Sequence, residues 1–185
     1  MPEAARAAVF LDRDGTIIED AGYIHDPDAV RLLPGAADGL SRLAARGYPL
    51  VVVSNQSGIA RGLFGPGAFQ AVNERLGAIL APHGVRFAAC YHCPHHPDIT
   101  GPCECRKPGV ALFRRAAAEQ RLDLERSWYV GNRLHDVEPA LTLGGRGILL
   151  TDRATTSDVA RAAQHGIVST PDLRGAAEEI LRADA

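Results

Sequence analysis

The sequence predicts an α/β fold: a Rossmann-like, doubly wound, mainly parallel sheet with helices on both faces. Three observations predict it. Strand-like and helix-like segments alternate along the chain, as in repeated strand–helix units. Pro49-Leu50-Val51-Val52-Val53 is apolar throughout, as expected of a parallel strand covered on both faces. Two apolar runs also end abruptly in polar segments, Asp12-Arg13-Asp14-Gly15-Thr16 and Ser54-Asn55-Gln56-Ser57-Gly58. Open α/β sheets bind ligands at such carboxyl ends of strands.

Taken in order, residues 7–11 form a short buried strand of Ala, Val, Phe and Leu. Residues 16–33 begin strand-prone at Ile17-Ile18 and then turn rich in Gly, Asp and Pro, giving a loop or small hairpin over the strand end. A helix starts after Pro34-Gly35, carries Leu40, Leu43 and Ala44 on one face, and stops at Gly47. The strand at 49–53 follows. A helix over 66–81 turns Phe69, Val72, Leu76, Ile79 and Leu80 inward, and a third strand covers 85–92. After 108 the alternation resumes with helix 109–121, strand 127–130, helix 137–143 and strand 147–150. Helix 156–165, a short strand at 167–168 and a helix over 171–183 close the series. No linker, repeat or low-complexity segment interrupts it, so residues 1–185 are expected to form a single domain.

Composition narrows the class of function. Apolar residues make up 46% and charged residues 23%, ordinary values for a globular protein. The formal net charge of −2 argues against a nucleic-acid or anionic-membrane surface. No apolar run approaches the ~20 residues of a membrane span, and the N-terminus has no signal-peptide core, so a cytoplasmic protein is expected. A monomer is expected too.

The chemistry begins at the two acids spaced two apart. Alternate residues of an extended strand point the same way, so Asp12 and Asp14 can share one pocket where strand gives way to loop. Such a pair suits phosphoryl transfer, Asp12 attacking phosphorus and Asp14 trading a proton with the leaving or entering oxygen. A plain turn uses the same residue types; the later segments decide between the two. Ser54, Asn55 and the glycines behind them offer a hydroxyl and free backbone donors, a phosphate cradle if the second strand end lies beside the first.

Four cysteines, at 90, 93, 103 and 105, fall in one short segment. Cys93-Pro94-His95-His96 followed by Cys103-Glu104-Cys105 can supply the thiolates and imidazole of a closed, structural zinc set; free buried cysteines or a redox pair are the alternatives. Spacing does not choose among His92, His95 and His96. Arg106-Lys107-Pro108 comes directly behind, two cations able to neutralise a bound phosphate.

The string DRDGT at 12–16 resembles the first motif of the haloacid dehalogenase superfamily of phosphatases. The Cys/His pattern and CRKP at 105–108 are similar to its bacterial sugar-bisphosphate and histidinol-phosphate phosphatases. SNQSGIARG (54–62) and GYIHDPDAVRLLPG (22–35) look like the heptose-bisphosphate members, and the likeness runs from about residue 8 to 150. The zinc loop is shorter than in many of those members.

The resemblance implies an aspartyl-phosphate mechanism with Asp12 as nucleophile and Asp14 as acid and base. It implies Mg²⁺ as cofactor and a structural Zn²⁺ on Cys93, His95, Cys103 and Cys105. The implied substrate is a small phosphorylated sugar, the 7-phosphate of D-glycero-D-manno-heptose 1,7-bisphosphate first, a histidinol phosphate or other sugar phosphate as the alternative. Lys107 matches the superfamily's third motif. Ser54 and Arg106 are then phosphate ligands, Asn55 positions the acid or the substrate, and Arg61 is a cation for a second phosphate. With no large cap inserted, the 20–33 loop, the 56–65 loop and the zinc loop become the pocket walls.

The fourth motif departs from the pattern. Val130-Gly131-Asn132-Arg133-Leu134-His135-Asp136 has the shape of the superfamily's G-D-x-x-x-D, whose first acid holds Mg²⁺ directly, but Asn132 stands in that place and only Asp136 remains acidic. An Asn oxygen can coordinate magnesium without supplying charge, so a site of Asp12, the Asp14 carbonyl, Asn132 and Asp136 is expected to bind it weakly. Asn132 admits three readings: a native residue with activity retained, an engineered change, or the mark of a weakened relative that binds a phosphorylated ligand.

Overall fold

The computed structural model describes residues 4–184. Its strands are β1 (Arg6–Leu11), β2 (Leu50–Asn55), β3 (Phe87–Cys93), β4 (Leu122–Gly131), β5 (Arg146–Leu150) and β6 (Val168–Thr170). They form one parallel sheet in the order β3-β2-β1-β4-β5-β6. The helices are α1 (Ala36–Ala45), α2 (Pro66–Leu80), α3 (Pro97–Thr100), α4 (Ala111–Gln120), α5 (Leu134–Val137), α6 (Pro139–Leu143), α7 (Thr156–Gln164) and α8 (Leu173–Ala183). The predicted doubly wound α/β architecture is what the chain adopts, with no cap domain among the described residues.

Alternation along the strands sorts side chains to two faces. Val9 and Leu11 of β1, with Leu50 and Val52 of β2, pack with Leu40 and Leu43 of α1, Val72, Leu76 and Leu80 of α2, and Ile180 of α8. Ala8 and Phe10, with Val51 and Val53, pack on the opposite face with Leu112, Phe113 and Ala116 of α4 and Ala140 and Leu143 of α6. Both faces of the central strands are therefore dry, which is why β2 reads as a continuous apolar run. Connections leave β1 toward β2 on one side, and β4 lies on the other, so the strand order reverses at β1. A crevice opens there, beyond the carboxyl ends.

The structure corrects three boundaries. β4 starts at Leu122, well before the predicted 127–130. Its first residues pair with Arg6 and Ala7, and the register shifts before Val9. The polar stretch between is a bulge, held by Asp123 Oδ1 accepting from the backbone N–H of Glu125 and Arg126 (3.1 and 3.2 Å) and by Ala8 N–H donating to Ser127 Oγ (2.9 Å). The predicted helix 137–143 is two short helices, because Pro139 has no N–H to continue the first. β3 begins at Phe87, after a 3₁₀ turn at Ala81–His83. The 16–33 segment is pinned as a small hairpin by a bridge between Ile18 and Leu32.

Candidate active site

Three strand ends meet at the crevice. β1 delivers Asp12, β2 delivers Ser54 and Asn55, and β4 delivers Asn132 with Asp136 one turn into α5. Lys107 enters from the loop before α4 and is the hub. Its Nζ lies 2.7 Å from Asp12 Oδ1 and 2.7 Å from Asp136 Oδ1, and donates to the Val53 carbonyl at 2.6 Å. All three charged groups are buried. Burial first, then the neighbouring Asp136 carboxylate, push Asp12 up to about 7 against the pull of Lys107. Burial by itself would lower the Lys107 pKa, but Asp12 and Asp136 outweigh it and raise the value, so the ammonium stays charged.

Two close approaches depend on glycine. A Cβ on Gly131 would sit 2.2 Å from Asp136 Cβ, so only glycine lets α5 fold back over the end of β4. Gly15 has φ +80°, and a Cβ there would meet the Asn132 amide at 2.7 Å. Asn132 is thus packed against the turn behind the first motif. Its Oδ1 accepts from Thr16 Oγ1 (3.3 Å), and its Nδ2 donates to the Arg153 carbonyl (3.4 Å), a bond that a carboxylate cannot make.

The predicted site residues fall into two groups. Asp12, Lys107, Asp136 and Asn132 come to the crevice as expected. The others stand around it in the following contacts. The Asp14 carboxylate is turned to Arg13, with Nε and Nη2 each 3.0 Å from one of its oxygens, and it accepts from Gln56 Nε2 at 2.7 Å. Ser54 Oγ is buried and accepts from the same Gln56 amide at 2.7 Å. Asn55 grips Lys107: its Oδ1 accepts the Lys107 N–H (2.9 Å) and its Nδ2 donates to the Lys107 carbonyl (3.3 Å). Arg61 is exposed, donates to His96 Nε2 at 2.8 Å and lies 5.9 Å over the Tyr23 ring. Arg106 is half-buried and donates to the His95 carbonyl at 3.3 Å, so its position is tied to the zinc loop. A cavity of about 220 Å³ opens beside Asp14, lined also by Asp20, Gly22, Tyr23, Asn55 and Gln56.

Arg13 and Gln56 escaped the sequence reading. Arg13 has a signal in hindsight: a cation between two acids at the end of an apolar strand has no solvent to reach. Gln56 sits inside SNQSGIARG but carries no charge to draw attention.

Residues for two metals are present. Asp136 Oδ1 is buried with Lys107 close but off the axis of a hydrogen bond, and it has no aligned donor. Asp12, Asp136 and the Asn132 amide carry oxygen donors, the kind a hard cation such as magnesium takes. Cys93, His95, Cys103 and Cys105 present ligand atoms within 4.8 Å of one another. Cys103 Sγ lies 3.6 Å from Cys93 Sγ and 3.6 Å from Cys105 Sγ, near the edge of about 3.8 Å that Zn–S bonds of ~2.3 Å make in a tetrahedron. His95 faces Cys105 Sγ through Nδ1 at 3.2 Å. Cys90 stands apart in β3, its thiol pushed up to about 11 by burial, while His96 caps α3 instead of joining the cluster.

A carboxylate at a strand end, a buried lysine and a second acid at the switch point of this sheet are the marks of the haloacid-dehalogenase class of phosphoryl-transfer hydrolases. A family model described as HAD-hydrolase-like matches residues 104–176. The D-glycero-β-D-manno-heptose-1,7-bisphosphate 7-phosphatase of Yersinia pestis is 38% identical over 173 residues, covering 90% of this chain and 92% of its own. That of Photorhabdus laumondii is 38% identical over 182 residues, covering 95% and 97%. The crystal structure of the D,D-heptose 1,7-bisphosphate phosphatase of B. bronchiseptica, complexed with magnesium and phosphate, superposes with a TM-score of 0.85 at 30% identity over 96% of this chain and 99% of that one. The chain belongs to the family of D-glycero-β-D-manno-heptose-1,7-bisphosphate 7-phosphatases.

Proposed function

We propose that this chain is a magnesium-dependent phosphomonoesterase that removes the 7-phosphate of D-glycero-D-manno-heptose 1,7-bisphosphate through a phosphoryl group carried on Asp12. The observation that carries the reading is Lys107 standing 2.7 Å from both Asp12 and Asp136 at the switch point, with the Asp14 cavity beside it.

In the first half-reaction a carboxylate oxygen of Asp12 attacks phosphorus in line. The bond from phosphorus to the sugar oxygen breaks, its electron pair goes to that oxygen, and Asp14 gives it a proton. In the second, water loses a proton to Asp14 and attacks phosphorus, the bond to Asp12 breaks, and inorganic phosphate leaves with Asp12 restored. Lys107 aims Asp12 and balances its charge, and Asn55 holds Lys107 in place. Ser54 and Arg106 are assigned to the phosphate oxygens, and Arg61 to the second phosphate at the rim. Magnesium held by Asp12, Asp136, Asn132 and the Asp14 carbonyl would supply positive charge against the transferring group. Zinc on Cys93, His95, Cys103 and Cys105 would brace the loop that carries Arg106.

The relatives reported above are named as phosphatases, which gives no support to a non-catalytic sugar-phosphate binder. Phosphate release, assayed with Mg²⁺ titrated across heptose bisphosphate, histidinol phosphate and mannose and fructose bisphosphates, tests the reading. Fastest release from the heptose bisphosphate is expected. No release from any of them at saturating Mg²⁺ overturns it.

A further inference from the structure

Arg13 is fully buried, the largest side chain without solvent exposure among the described residues. A guanidinium removed from water is costly unless its charge is paired and its donors are filled. Its partner is Asp14, gripped by both oxygens at 3.0 Å. The rest of Arg13 is packed for stiffness: its Cζ lies 5.1 Å over the Phe69 ring, Nη1 is 3.5 Å from Asn73 Oδ1, and Phe69 is itself backed by His92 at 4.2 Å. An apolar side chain would fill this place under Phe69 without the cost of burying a charge, so packing does not explain an arginine here. The two-point grip on Asp14 does.

Asp14 needs such a grip. It lies past the end of β1, before the turn at Gly15, where an isolated bridge to Ile18 holds its backbone but leaves its side chain to be fixed by other side chains. Its remaining partner is Gln56, whose amide is shared with Ser54. The gripped Asp14 lines the cavity together with Tyr23, Asn55 and Gln56.

We propose that Arg13 is a positioning residue: it aims Asp14 at the leaving-group oxygen, braced from behind by α2 through Phe69 and Asn73. The proposal rests on the phosphatase reading above. It separates two kinds of substrate. A sugar alkoxide leaves poorly without Asp14, whereas a nitrophenolate leaves unaided; both then need Asp14 to activate water.

The test uses the full chain loaded with Mg²⁺, as Arg13→Lys and Arg13→Met. With heptose bisphosphate, kcat is expected to fall about 100-fold at nearly unchanged KM, in the range that a general acid–base contributes. With p-nitrophenyl phosphate, both variants are expected to give a burst of one nitrophenolate per enzyme and then stall. Wild-type kcat in both variants, or a lost burst in a variant that melts like wild type, overturns the positioning role. Lysine keeps the buried charge without the fork, so it carries the test if methionine does not fold. A crystal structure of Arg13→Lys adds a readout free of activity: the Asp14 side chain should leave its place, and an unmoved Asp14 overturns the proposal. A wild-type protein that releases no phosphate would instead defeat the phosphatase reading, and the Asp14 position in that crystal would still decide whether Arg13 sets it.

Discussion

The Asn55 amide closes on the backbone of Lys107 from both sides, Oδ1 accepting the N–H at 2.9 Å and Nδ2 donating to the carbonyl at 3.3 Å. Two residues far apart in sequence are locked together by one planar group, and the lysine that joins Asp12 to Asp136 is aimed by it. Asn55→Ala therefore removes two hydrogen bonds and the aim at once. A loss of roughly 1–3 kcal/mol in unfolding free energy is expected, measured by denaturant titration. kcat should drop more than KM rises, because the substrate cavity keeps its other walls.

Lys107→Met leaves Asp12 and Asp136 facing each other in a buried site with no cation. Breaking a buried pair from one side typically costs about 3–5 kcal/mol, and a loss of that order is expected in the absence of divalent ions. Added Mg²⁺ should recover more of the melting temperature in this variant than in wild type, while turnover stays abolished. Equal Mg²⁺ responses in the two proteins would contradict the shared-charge account.

The pH dependence follows from Asp12, whose value rises from the ordinary 3.8 to about 7. A carboxyl raised in the folded state stabilises the fold while it is protonated, and that contribution is lost as pH climbs from about 4 through 7. Metal-free protein should thus lose melting temperature across that window. Magnesium binds the ionised ligand, so saturating Mg²⁺ should raise the melting temperature more at pH ~8 than at pH ~5.5. Differential scanning fluorimetry at the two pH values checks the sign.

Asn132→Asp should trade stability for metal affinity. The added charge strengthens magnesium binding, on the order of tenfold, read by isothermal titration. The cost is the lost donor to the Arg153 carbonyl and one more buried charge near Asp12, so the metal-free variant should melt below wild type. An Asn132→Asp protein with unchanged Mg²⁺ affinity would remove Asn132 from the metal site.

The fold and the chemistry were legible to different depths in the sequence. Val51, Val52 and Val53 announce a doubly covered strand because burial on both faces leaves no room for polar alternation. The turn at Asp12–Thr16 and the Cys93–Cys105 cluster are local, so spacing carries them, except for the choice of His95, which only the family resemblance makes. The extra length of β4 was hidden, since its first turn is a polar bulge held by Asp123 and Ser127 rather than by apolar periodicity. What Asn55, Gln56 and Arg13 do was equally hidden. Each acts through a partner chosen by packing: Asn55 by a loop some fifty residues away, Arg13 by an aromatic ring of α2. The place of Arg61 in a loop leaving a strand end suggests a phosphate ligand, and the structure adds that it bridges Tyr23 and His96 across the rim.

Acid-quenching the enzyme during turnover of heptose bisphosphate, and mapping the digested peptides by mass spectrometry, decides whether Asp12 carries the phosphoryl group. A transient phosphoryl adduct on Asp12 is expected, absent from a folded Asp12→Asn protein that releases no phosphate. Turnover with no adduct at Asp12, or undiminished release by Asp12→Asn, would contradict it.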